Sequence, residues 1–223
     1  QSMKLNPVSA DDMKVRTELD ADRVHALSLD VDFNVPFVRK GRNVELNVVD
    51  GVVQPDVEND VLYATVVERF GKTTTKPAVG FCSGWKLKAG AMASSCAPDD
   101  NNVICIGTNS EDMALAVNHL AENGGGQVII RDGKVLGFLP LPICGIVSDL
   151  EPDVMAAEEE KLLQLARELG CDLPDPLFYM CCLQITAIPD YAITDLGVID
   201  FHQQKTFDPV LRCGCSHGKL HKQ

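Results

Sequence analysis

The sequence predicts an α+β or mixed α/β fold with helices packed on a multi-stranded sheet, and three observations carry that expectation. Strand-like segments follow one another from Arg23 to about Phe70 with few helix signals between them. An amphipathic stretch at helical spacing begins after Thr108, and an Asp-Gly pair then separates two alternating segments. Runs of strands with helices dispersed among them bury their apolar faces best as layers around a sheet.

Taken in order, Gln1-Ser2-Met3 reads as the remnant of a cleavable purification tag, so the domain is expected to begin at residue 4. Val24, Ala26, Leu29 and Val31, then Val44, Leu46 and Val48, then Val61 to Val67 form strand patterns, split by Lys40-Gly41, Asp50-Gly51 and Pro55. A Thr-rich loop, Lys72 to Lys76, precedes Pro77 to Phe81; that run and Val103 to Ile106 read as buried strands. Thr108 with Glu111 forms a capping box, and Met113, Ala114, Val117, Leu120 and Ala121 recur at helical spacing until Gly124.

The Gly124-Gly125-Gly126 run follows a helix and precedes a strand, the reverse of a phosphate-binding turn, so it reads as a helix stop. Gln127 to Ile130 and Lys134 to Leu139 flank Arg131-Asp132-Gly133, a hairpin signal. A second helix is predicted from Pro152 through Met155, Leu162, Leu165 and Leu169 to Gly170. Strand and short helix both remain open for Leu173 to Pro189, and residues 204–223 read as a poorly ordered tail, leaving 4–203 as one domain.

Twenty Lys and Arg against 32 Asp and Glu give a net charge of −12, which excludes an ordinary nucleic-acid or anionic-membrane surface. The longest apolar stretch, Leu177 to Ile188, is broken by Gln184 and falls short of the roughly 20 residues of a spanning helix. Nine cysteines invite a disulfide framework, but Cys105, Cys144, Cys181 and Cys182 sit in apolar runs, where a thiol behaves as a small hydrophobe. The odd count and the lack of a secretory leader point to the cytoplasm.

Chemistry-bearing motifs are few. Gly80-Phe81-Cys82-Ser83-Gly84 has the form of a nucleophile elbow, yet the segment after it is a poor helix, so a strand end with a turn is the better reading. Cys213, Cys215, His217 and His221 are zinc-type ligands at an unusual spacing, crowded into the tail. His25 and His119 are isolated and read as structural groups, and Glu158 to Glu160 as a solvated helix face. The polar run Pro98-Asp99-Asp100-Asn101-Asn102, set between small residues and a buried strand, is either an Asx turn or a site.

Four blocks in order, Gly80 to Met113, Gly124 to Lys134, Leu139 to Asp149 and Leu169 to Asp175, resemble the C-terminal domain of bacterial adenine deaminase, an amidohydrolase. The resemblance extends less sharply over Met13 to Asp200. It implies a mixed α/β domain centred on a mainly antiparallel sheet, attached to a metal-dependent enzyme that converts adenine to hypoxanthine and ammonia. It also implies a catalytic barrel as partner, with Mn or Fe bound there. This chain has five histidines, no His-x-His pair and too few residues for a barrel of roughly 250 residues, so no catalytic residue or catalytic metal is expected in it.

Where the family reads His-Asp-Ser-His-Asn, this chain has Pro98 to Asn102, and both histidines are gone. Asp99 and Asn102 match, Lys88 stands at a basic position of the family, and Ser148-Asp149 matches the family's pair. Asp99, Asn102, Asp149 and Lys88 are therefore the candidate ligand-binding residues. Two functions follow as expectations: an accessory domain without chemistry of its own, or a stand-alone module binding a purine, another small ligand or a protein. A homo-oligomer is compatible with either.

Overall fold

The computed structural model describes residues 3–33, 38–72, 76–98 and 100–211. In chain order the strands and helices are β1 (Val15–Arg16), β2 (Arg23–Val31), β3 (Arg39–Val49), β4 (Val52–Val53), β5 (Leu62–Val67), β6 (Ala78–Ser83), β7 (Ala91–Ser94), β8 (Val103–Gly107), α1 (Ser110–Glu122), β9 (Gly126–Arg131), β10 (Lys134–Pro140), α2 (Pro152–Glu168), α3 (Pro176–Tyr179), β11 (Tyr191–Thr194), β12 (Gly197–Asp200), β13 (Lys205–Phe207) and β14 (Val210–Leu211).

The large sheet runs β1-β4-β3-β2-β6-β5-β8-β7-β9-β10, with β14 beside β2. Its pairings are antiparallel except β2 with β6, which run parallel from Ser28 opposite Phe81 to Asp30 opposite Ser83. The fold is thus the mixed, mainly antiparallel sheet with helices that the sequence predicts. Both faces are buried, which is why the central strands read as nearly continuous apolar runs. Leu62, Ala64 and Val66 of β5 enter one core with α2, α3 and the small sheet β11-β12-β13. Tyr63 and Val67 alternate into the other, which α1 covers.

Helix α1 buries Met113, Ala114, Ala116, Val117 and Leu120; each large apolar side chain contributes about 1.5–3 kcal/mol when fully withdrawn from water. Its cap is Asn109, whose Oδ1 accepts from the Asp112 backbone N–H at 2.8 Å, one residue beyond the predicted start. The Thr108 hydroxyl donates to the Gly90 carbonyl at 3.2 Å instead of capping the helix. The Asp112 carboxylate in turn accepts the Asp132 and Gly133 N–H groups at 3.2 and 2.8 Å, fixing the β9–β10 hairpin turn.

Three other expectations change. Lys40 and Gly41 do not break a strand: β3 runs through them, and Gly41 is required because a Cβ there would lie 2.6 Å from the Tyr191 ring and 2.7 Å from Leu27 Cδ1. The undecided segment after Leu173 is helical, α3 followed by a 3-10 turn, Met180–Leu183. Part of the segment expected to be a tail is folded, since 205–207 and 210–211 are strands; β13 pairs with β12 and β14 with β2, and 212–223 lie outside the described residues. Among the described residues no helix is long and apolar enough to cross a membrane.

Candidate functional site

The polar run sits where β7 ends and β8 begins. Asp100 Oδ1 accepts the Asn102 N–H at 2.9 Å and its Oδ2 accepts Asn102 Nδ2 at 3.1 Å, so the run does contain an Asx turn. Asn101 adopts φ 53°, and its N–H closes a turn onto the Ala97 carbonyl at 2.8 Å. Gln184, buried at the end of the 3-10 turn, donates to the same carbonyl at 3.3 Å. The carboxamide oxygens of Asn102 and Gln184 are buried and make no hydrogen bond among the described residues.

Arg69, two residues beyond β5, organises the site. It is fully buried. Its Nε donates to the Asn101 carbonyl, its Nη1 to the Cys144 carbonyl at 3.0 Å, and the guanidinium lies 4.6 Å over the Phe70 ring. Burial lowers its pKa from the ordinary value, opposed by nearby Cys144, Cys96 and Asp100. One side chain therefore ties the 97–102 loop to the 141–147 loop, using the planar, multi-donor geometry that lysine lacks. The Lys4 N–H also donates to the Arg69 carbonyl at 2.7 Å, and Met3 Sδ lies 3.5 Å from Nη1.

A second tie runs beside the first. Buried Ser95 Oγ donates to the Gly145 carbonyl at 2.7 Å and accepts the Gly126 N–H at 2.8 Å. The glycine run does stop α1, with the Gly125 N–H reaching back to the Leu120 carbonyl at 2.9 Å. It does more: a Cβ on Gly125 would lie 2.5 Å from Gly145 Cα and 2.8 Å from Ser95 Oγ. The predicted helix stop is also the seat on which the 141–147 loop packs.

Of the predicted site residues, Asp99 lies outside the described residues. Asn102 is buried in the loop held by Arg69, and Asp149 is exposed, two residues beyond Val147. Lys88 is exposed at the opposite end of β7, its N–H bonded to the Leu169 carbonyl at 2.7 Å. At about 3.3 Å per residue, the four residues of that strand alone put about 13 Å between its two ends, so Lys88 does not join the Asn102 loop. The candidate ligands Cys213, Cys215, His217 and His221 lie outside the described residues. Among those described, no three His, Cys, Asp or Glu side chains come together to hold a metal ion.

At Cys82 the structure has the strand end with a turn that the sequence favours. The thiol is fully buried, burial first and then Asp60 push its pKa well above the ordinary value, and no helix follows Gly84. Cys144, expected to pack as a hydrophobe, is exposed at φ 58° in the 143–147 turn. Arg69 and Ser95 were missed because buried hydrogen bonds leave no periodic trace. Gln184 did leave one, as the single amide in an apolar run.

Comparison with known proteins bears directly on this arrangement. Residues 37–205 match the adenine deaminase C-terminal domain family. The chain is 55% identical over 210 residues to adenine deaminase 1 of Desulfotalea psychrophila, covering 94% of this chain and 35% of that protein. It is 52% identical over 210 residues to adenine deaminase 4 of Rhizobium meliloti, with the same coverage. With adenine deaminase 1 of Latilactobacillus sakei the identity is 50% over 204 residues, or 92% of this chain and 34% of the relative. The chain thus spans about a third of the length of these curated relatives.

Proposed function

This chain belongs to the adenine deaminase C-terminal domain family, and from that premise we propose that it serves as the accessory domain of a deaminase that converts adenine and water to hypoxanthine and ammonia. In this reading it forms a wall beside a catalytic centre and carries none of the bond-breaking groups. In this reading the divalent metal that activates water in such enzymes belongs to the part of the relatives that this chain does not match. The burial of Cys82, Cys105 and Cys182 in apolar segments, where a thiol packs as a small hydrophobe, favours a reducing compartment, the cytoplasm.

The observation that carries this reading is Arg69 bridging the Asn101 and Cys144 carbonyls, because it locks two of the family-matching blocks into one surface. The test is ammonia release from adenine with Mn2+ or Fe2+. The chain alone should give none, and the chain grafted in place of the matching 210 residues of the Desulfotalea psychrophila enzyme should support turnover. Turnover by the highly purified chain alone would refute the accessory role.

A second reading, a free-standing binding module, is favoured by the buried oxygens of Asn102 and Gln184, which suit an N–H donor such as the exocyclic amine of a purine. Millimolar adenine should then raise the melting temperature by mass action. An unchanged melting temperature counts against a purine site.

A further inference from the structure

We propose that the adjacent thiols of Cys181 and Cys182 form a two-coordinate site for a soft monovalent cation, Cu(I), whose charge Arg39 balances. Both thiols lie in the 3-10 turn Met180–Leu183 and are 3% and 1% exposed. They do more than fill the core. The two side chains share a hydrogen bond, and that bond first, then burial, raises the Cys182 pKa. Neighbouring Cα atoms lie about 3.8 Å apart across a trans peptide, short of the roughly 4.4–6.8 Å that a disulfide spans, so an ion suits this pair better than an S–S bond.

Ligand number and charge select the ion. Structural zinc takes four ligands, and among the described residues no three His, Cys, Asp or Glu side chains come together. Thiolates are soft and select Cu(I), which is satisfied by two of them. On binding, two S–H protons leave to solvent, two S–Cu bonds form and no electron moves. The product carries one negative charge, which a buried place tolerates only beside a cation.

Arg39 is that cation. It is fully buried, and its Nη2 donates to the Ile185 carbonyl at 2.7 Å and to the Ile188 carbonyl, just past the turn. Its Nε and Nη1 have no hydrogen-bond partner among the described residues. Burial lowers its pKa to about 10, opposed by Cys182, Asp190 and Cys181, so both thiols lie within its field. Buried Cys82 and Cys105 have the carboxylates of Asp60 and Asp112 as charged neighbours instead, and neither faces a cation.

The test loads the chain with Cu(I) without oxygen, in competition with bicinchoninate, in a C144S/C213S/C215S background that removes the exposed thiol and those of the tail. Loading proceeds as the short turn opens. One equivalent should be retained, with two sulfur neighbours in X-ray absorption and a raised melting temperature. C181S and C182S, close in size to the native residues, should each lower retention at least tenfold, and C82S should not. Arg39→Lys should retain more copper than Arg39→Met; the cysteine variants decide the site even where Arg39→Met does not fold. Retention unaffected by C181S and C182S, three or more sulfur neighbours, no retained copper or a lowered melting temperature would each overturn the proposal.

Discussion

Ser95 Oγ meets the Gly145 carbonyl at 2.7 Å, joining the end of β7 to a turn fifty residues later, inside a contact too close for any side chain at Gly125. Replacing Ser95 by Ala leaves that carbonyl and the Gly126 N–H without their partner in a fully buried place. The expected loss is about 1–3 kcal/mol of unfolding free energy, read by urea titration. A loss under about 0.5 kcal/mol would mean that the two backbone groups find another partner.

Arg69→Lys should lower stability by about 2–4 kcal/mol, because an ammonium cannot serve the Asn101 and Cys144 carbonyls together and a cavity forms beside it. The informative measurement is hydrogen exchange. Protection should fall in both the 97–102 and the 141–147 segments, although they are distant in sequence. Loss in only one of them would refute the clamp.

Gly41→Ala should destabilise by about 1–3 kcal/mol through overpacking against Tyr191 and Leu27. Combining it with Tyr191→Leu should recover part of the melting temperature, since the closest clash, at 2.6 Å, is with that ring. A double variant with strictly additive losses would place the fault elsewhere.

Asp12 titrates at about 2, below its ordinary 3.8, because the Ser9 side chain and backbone donate to it and Lys76 lies 3.1 Å away. A depressed folded pKa contributes stability above pH 3.8 that disappears as the pH falls toward 2. The pair is largely solvated, so the contribution is about 1 kcal/mol. The stability gap between the protein and Asp12→Asn should be full at pH 5 and closed near pH 2. A gap independent of pH would mean the substitution acts through the cap geometry alone.

Cys82 should stay unlabelled by thiol reagents at pH 8 until the protein unfolds, because burial holds it as the neutral thiol. Labelling of Cys82 in the native state as fast as that of Cys144 would reopen it as a nucleophile.

Periodicity made much of this fold legible in the sequence. The spacing from Met113 to Leu120 gave α1, and Asp132-Gly133 gave the β9–β10 turn, because local backbone preferences decide both. What failed was set by distant partners. Thr108 looked like the cap, but its hydroxyl reaches the Gly90 carbonyl and Asn109 caps the helix, and Gly41 looked like a break although Tyr191 is what demands it. The candidate site was half visible: Asn102 stood in an anomalous polar run, but nothing near Arg69 in sequence says that its partners lie 32 and 75 residues away.

The pairing of β14 with β2 sets the order in which the molecule can be completed. His25 and Ala26 wait for Leu211 and Val210, and the Leu27 amide waits for the Pro209 carbonyl. During synthesis the edge of β2 left open beside β6 stays uncovered until residues 209–211 have emerged from the ribosome. Closure of this flank therefore waits on residues 209–211, and a message cut a dozen codons before residue 211 would yield a polypeptide whose β2 still has an open flank.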